Sequence, residues 1–158
     1  NGGATVPVEP NEPEDGLAAG WNEDITATVF GGASDPNKSA YPPYDSITDS
    51  ELSVALPYRF VGPRPKVRVL NPANGKEVTC TIRDIGPWVI NNAYWATRPV
   101  AETCFKDKSP LPDGPNQGKI PTNDAGIDLT PAAAKAIGIP GKGRVNWVFT
   151  REVDETIA

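Results

Sequence analysis

The chain has no histidine and no methionine, and only two cysteines among 158 residues. Without imidazole there can be no Ser-His-Asp or Cys-His site, no histidine-ligated metal and no histidine general base. Two thiols are too few for a cysteine-rich structural zinc site. No apolar run approaches the roughly 20 residues that cross a bilayer as a helix, so no membrane span is expected. Positive charge is also short: 15 Lys and Arg face 20 Asp and Glu, a net charge of -5. That balance excludes a nucleic-acid backbone or an anionic membrane surface as the main partner, since both select basic patches.

What is abundant is punctuation. The 15 glycines and 18 prolines make up roughly a fifth of the chain, against a usual share near 12%. With hydrophobic residues at 38%, the composition describes a loop-rich, mostly β protein. The length is that of one domain. Residues 1–20 (NGGATVPVEPNEPEDGLAAG) are rich in Pro, Glu and Gly and hold almost no large apolar side chain. They read as a flexible tail or linker, with the folded domain spanning 21–158. The absence of any methionine and of an apolar leader reads as a mature or trimmed form. An even cysteine count suits one disulfide in an oxidising compartment, and Cys80 and Cys104 are expected to be bridged.

Residues 25–30 (ITATVF) alternate and are β-branched, as a strand requires. Thr48-Asp49-Ser50-Glu51 has the form of a capping box and predicts a short helix over about 49–55, stopped by Pro57. Residues 66–70 (KVRVL) and 77–83 (EVTCTIR) alternate on either side of Asn74-Gly75, a strong hairpin turn. Val67, Val69, Val78, Cys80 and Ile82 would share its inward face. A long irregular stretch, 91–123, follows; unstructured insertions of that length are usually functional or disordered. Residues 126–129 (GIDL) read as a strand. Thr130 then caps a helix with Pro131 at its first position and Gly138 at its end. The last strand covers 144–150, with Val145, Trp147 and Phe149 on one face. About six short strands and two short helices suggest a small barrel.

With no imidazole available, carboxylates are the remaining general acid/base groups. Asp84 ends a strand before a Gly-Pro turn and a tryptophan. An Asx-turn and a catalytic role are both open there. Asp128 lies between Ile127 and Leu129. A carboxylate in that setting must be paired, hydrogen-bonded or functional, because burying it bare costs several kcal/mol. Desolvation would raise its pKa and keep a proton available for a leaving oxygen; acceptance of backbone amides at the following helix start is the alternative. Trp88, Tyr94 and Trp95 group just after Asp84 and would offer flat faces to sugar rings, with ordinary packing as the alternative. Tyr44, Arg83 and Asn123 are further binding candidates.

Four blocks in order, Ala55-Leu56-Pro57, VRVLNPANGKEV at 67–78, IRDIGPW at 82–88 and IDLTPAAAKAIGI at 127–139, with a closing strand, resemble the RlpA-like double-psi β-barrel family. Its pattern there reads T-L-P, V-x-V-x-N-x-x-N-G-x-x-V, I-N-D-R-G-P-F and I-D-L-S-x-A-A-A-x-x-L-G. The resemblance implies a six-stranded double-psi barrel with short helices and, here, a long loop insertion. It also implies lytic transglycosylation of peptidoglycan, or the neighbouring activities of expansins and barrel endoglucanases. Asp84 takes the place of the aspartate of D-R-G-P-F, and Asp128 that of the acid before the helix. Ile85 stands where the family has arginine, and Gly31 or Gly32 where endoglucanases carry a further aspartate. The expectation is therefore a secreted or periplasmic, monomeric, cofactor-free and metal-free protein that acts on a polysaccharide with Asp84 as the general acid/base and Asp128 as its close partner and first alternative for that role. The alternatives are expansin-like binding without cleavage, endoglucanase-type hydrolysis, and a structural or interaction domain without chemistry.

Overall fold

The computed structural model describes residues 20–32, 35, 37–95 and 97–154. The expected tail, apart from Gly20, lies outside the described residues. Six strands close into a barrel: β1 (Asn22–Val29), β2 (Ser53–Leu56), β3 (Arg64–Asn71), β4 (Lys76–Ile85), β5 (Ile127–Leu129) and β6 (Lys142–Asp154), arranged β1-β5-β2-β4-β3-β6. Two pairings are parallel, β1 with β5 and β2 with β4; the other four are antiparallel. Exchanging the first three strands for the last three (β1 for β4, β2 for β5, β3 for β6) maps each pairing onto one of the same sense. The barrel is two interlocked three-stranded halves, the mostly β, six-stranded double-psi architecture expected from the sequence.

Strand alternation accounts for the core. Ile25 and Ala27, Val54 and Leu56, Val67 and Val69, Cys80 and Ile82, Ile127 and Leu129, and Val145, Trp147 and Phe149 all point inward and are buried. The β3–β4 hairpin turns through residues 72–75 in the expected register, Val67 opposite Cys80 and Val69 opposite Val78. Helix α2 (Pro131–Ile137) begins and ends where its caps predict. The Thr130 hydroxyl accepts the Ala133 amide, and Gly138 takes the left-handed conformation at φ 78°. Ala133, Ala134 and Ile137 seat it against the barrel core.

Three expectations are corrected. The helix over 49–55 does not form: the chain there enters β2, buried between β4 and β5. Half of the capping box exists, with the Thr48 amide donating to Glu51 Oε1 at 3.1 Å. However, Glu51 Oε2 is taken by Ser53 Oγ and Arg83 Nε, and the Val54-Ala55-Leu56 run is needed as a central strand. The stretch 91–123 is not wholly irregular, since it holds α1 (Val100–Asp107), supported by the Arg98–Glu102 ion pair one helical turn apart. Finally, Cys80 and Cys104 are both free and buried. Cys80 faces the barrel interior, whereas Cys104 packs from α1 into a separate small cluster with Val89, Ala101 and Leu111. The Cys104 thiol donates to the Pro110 carbonyl at 3.5 Å.

Candidate functional site

Strand register brings the two aspartates onto one line. Asp84 on β4 is opposite Ala55 on β2; Ala55 is opposite Asp128 on β5; Asp128 is opposite Thr28 on β1. Thr28 is in turn opposite Lys142 on β6. Side chains in such a row leave the same face of a sheet, and here that is the outer face, because the flanking Ile82, Val54 and Leu129 fill the core. A β-bulge is what admits Asp84 to the row. Ile82 pairs with Val54 and Asp84 with Ala55, leaving Arg83 as the extra residue. Without it the alternation would turn Asp84 into the core.

The two carboxyls differ in surroundings. Asp128 is half-buried and accepts the Thr28 hydroxyl. Its burial pushes the pKa up to about 6; the Thr28 bond opposes this and the Asp84 charge adds to it. Asp84 is also shifted upward by burial, but the amides of Ile85 and Ala40 hold it back, the latter at 3.1 Å from Oδ1. The upward influence of Asp84 on Asp128 means that the two carboxyls feel one another. Strand spacing of 4.7–4.9 Å puts their Cα atoms about 9.5 Å apart across Ala55.

Asp128 opens onto a pocket of 260 Å³ walled by Thr28, Pro87, Trp88, Asn116 and Asn123. That is below the roughly 300–1,000 Å³ of sites that engulf a small ligand. Two of the binding candidates, Trp88 and Asn123, thus stand beside Asp128, and Trp88 Nε1 donates to Asn123 Oδ1 at 2.9 Å. Asn116, inside the long insertion, was missed; no local pattern marks it.

Other candidates lie elsewhere. Tyr94 is core: it is 1% exposed, its hydroxyl donates to the Gly126 carbonyl and accepts Trp147 Nε1, each at 2.8 Å. Trp95 is half-buried in an aromatic cluster with Tyr58, Phe60, Tyr94, Trp147 and Phe149. Both therefore serve packing rather than a groove wall. Arg83 is buried with its guanidinium committed to Glu51 at 2.8 Å and Asp45 at 2.9 Å, which ties the 45–51 loop to β4. Tyr44 is 58% exposed at the tip of the loop whose Ala40 amide contacts Asp84. Among the described residues no cluster of three or more Cys, Asp or Glu could hold a metal ion, and no helix is long and apolar enough to cross a membrane.

The fold and site define a small closed double-psi barrel with an acidic row on its outer wall. The family model described as a domain of unknown function, DUF8814, matches residues 24–149, and the chain belongs to that family. No curated protein matches it. Among solved structures it is similar to the Streptomyces papain inhibitor (SPI), with 16% identity and a TM-score of 0.45, over 82% of this chain and 94% of that one.

Proposed function

We propose that this protein cleaves a polysaccharide of the cell wall, peptidoglycan glycan strands foremost, outside the cytoplasm, with Asp128 as the general acid. The supporting observation is a carboxyl whose pKa is raised to about 6 on a surface pocket beside a half-buried indole. It is joined by the resemblance of four sequence blocks to RlpA-like proteins. A carboxyl with that pKa holds its proton in mildly acidic solution and can give it to a glycosidic oxygen as the bond to the anomeric carbon breaks. The same carboxylate then takes the proton of the sugar's 6-hydroxyl as that oxygen closes on the anomeric carbon, and an internal anhydro ring results. Asp84 as carboxylate helps keep Asp128 protonated and favours the positive charge that develops at the anomeric carbon as the bond breaks.

Incubation with purified peptidoglycan sacculi and with soluble β-glucans tests this reading. Released fragments carrying an anhydro end, one water lighter than a hydrolysed end by mass spectrometry, support transglycosylation; ordinary reducing ends support hydrolysis. Asp128→Asn should lower either rate by on the order of 10²–10⁴ while sparing binding. The second reading, an expansin-like module that binds without cleaving, is favoured by the Ala40 and Ile85 amides that engage Asp84 as a structural acceptor; the Gly86 amide that an Asx-turn would use goes instead to the Leu56 carbonyl. Retention on sacculi without release would establish it.

A further inference from the structure

Trp88 adopts a backbone conformation that bulky residues avoid, with φ at 69°. A left-handed conformation crowds the Cβ of an ordinary residue against its own backbone and persists only where the surroundings over-determine it. Three contacts from one segment, residues 113–123, do so. Asp113 Oδ1 accepts the Ile90 amide at 2.8 Å. Gly114 lies so close that a Cβ on it would sit 2.8 Å from the Trp88 carbonyl oxygen and 3.2 Å from Val89 Cα. Asn123 Oδ1 accepts the indole Nε1 at 2.9 Å and, from its own side, the Ala125 amide at 3.0 Å, which fixes the carboxamide. Beneath them Val89 and Leu111 close the small cluster that Trp88 itself packs on. Backbone, glycine contact and ring nitrogen are thus each held by the same segment, and the ring so fixed walls the Asp128 pocket.

We infer that residues 113–123 are a clamp for Trp88, with Asn123 as the positioning residue that sets the indole's angle over the pocket. The fixed ring selects which sugar unit the site accepts. This inference rests on the polysaccharide reading for its ligand but not for its geometry. It also gives the long insertion a purpose: the insertion supplies the wall's support, while the barrel supplies the acid.

The test uses the full chain labelled with 5-fluorotryptophan. Its four tryptophans give separate fluorine resonances, and Trp88→Phe assigns the relevant one. Asn123→Ala should shift or broaden the Trp88 resonance alone, and Asn123→Asp, which keeps the acceptor oxygen, should restore it. Binding of soluble peptidoglycan fragments should weaken on the order of tenfold in Asn123→Ala, the scale of one hydrogen bond, through KM with little change in kcat. Asn123→Ala placed on Trp88→Phe should add nothing further. An unmoved Trp88 resonance, a displaced ring with undiminished binding, or additive losses in the double variant would each overturn the clamp. A parent protein that binds no glycan would instead retire the polysaccharide reading, leaving the fluorine resonance to decide the clamp alone.

Discussion

Replacing Asp128 with Asn should stabilise the protein above neutral pH and leave it nearly unchanged in acid. The Asp128 pKa is raised from 3.8 in the unfolded chain to about 6 in the folded one, burial being the main cause. Between those values the folded protein holds a proton that the unfolded chain has lost. Stability therefore falls as pH rises through that window and is flat on either side of it. At 1.36 kcal/mol per pH unit the native state carries a penalty of about 3 kcal/mol once Asp128 is ionised. Asparagine keeps the shape and an oxygen for the Thr28 hydroxyl while removing that penalty. Urea unfolding of parent and variant at pH 4 and pH 7.5 measures it, and the difference between the two proteins cancels the titration of the other carboxylates. The expected result is near-equal stability at the lower pH and a variant more stable by about 2–3 kcal/mol at the higher. A variant whose advantage is the same at both values, or which is the less stable at pH 7.5, would refute the reasoning that Asp128 is a desolvated carboxyl. Gain of stability with loss of activity is the usual signature of a group retained for function.

Thiol titration should find two free thiols after unfolding without reductant, and in the native protein Cys80 should resist modification, since burial pushes its pKa up to about 12. Trp95→Ala should cost about 3 kcal/mol in denaturant unfolding, the scale of truncating a large packed aromatic, because it opens the cluster formed with Trp147 and Phe149; a loss below 1 kcal/mol would return that ring to the surface. Thr130→Ala should cost about 2–3 kcal/mol by the same measurement, since its buried hydroxyl serves the Ser53 and Ala133 amides and the Glu51 carbonyl together.

The parts of the fold legible in the sequence are those fixed by neighbours in the chain. Asn74-Gly75 announces the β3–β4 turn, and Thr130, Pro131 and Gly138 bracket α2 within nine residues. What was hidden depends on distant partners. Ser53-Val54-Ala55-Leu56 is too short for periodicity to separate strand from helix, and its parallel partner β4 begins 20 residues later. The aromatic residues mislead for the same reason. Tyr94 and Trp95 follow Asp84 closely in sequence, yet their contacts come from Tyr58, Phe60, Gly126 and Trp147. For α1 the signal was present, in Arg98, Glu102 and Lys106, but was obscured by the surrounding prolines. The site divides likewise. Asp84, Trp88, Asn123 and Asp128 stand in recognisable local settings, whereas Asn116 meets the pocket only through the path of the insertion.

The barrel's internal symmetry explains why its two carboxyls are unequal. Exchanging the two halves carries β4 onto β1 and β2 onto β5, so the row Asp84–Ala55–Asp128–Thr28 maps onto itself with Asp84 in the place of Thr28 and Ala55 in that of Asp128. Each acid thus sits where its symmetry partner has a smaller residue without charge. Asp84 occupies the outer site, beside the bulge, where backbone amides from Ala40 and Ile85 reach its oxygens. Asp128 occupies the inner site, between Ala55 and Thr28, where the Thr28 hydroxyl is its hydrogen-bond donor among the described residues. Amides stabilise a carboxylate more than a hydroxyl can offset burial, so the inner acid keeps its proton and the outer one releases it first. The Ala55 methyl, buried at 2% exposure, fills the gap between them, whose width the strand spacing sets. Ala55→Gly should leave the register intact and admit water between the carboxyls. The Asp128 pKa, read by carbon-detected NMR titration of the side-chain carboxyl, should then fall from about 6 toward the ordinary range, and the alkaline limb of any cleavage profile, where the general acid ionises, should move down with it. An Asp128 pKa unmoved in Ala55→Gly would mean that the strand row, and not the dryness of the gap, holds the proton in place.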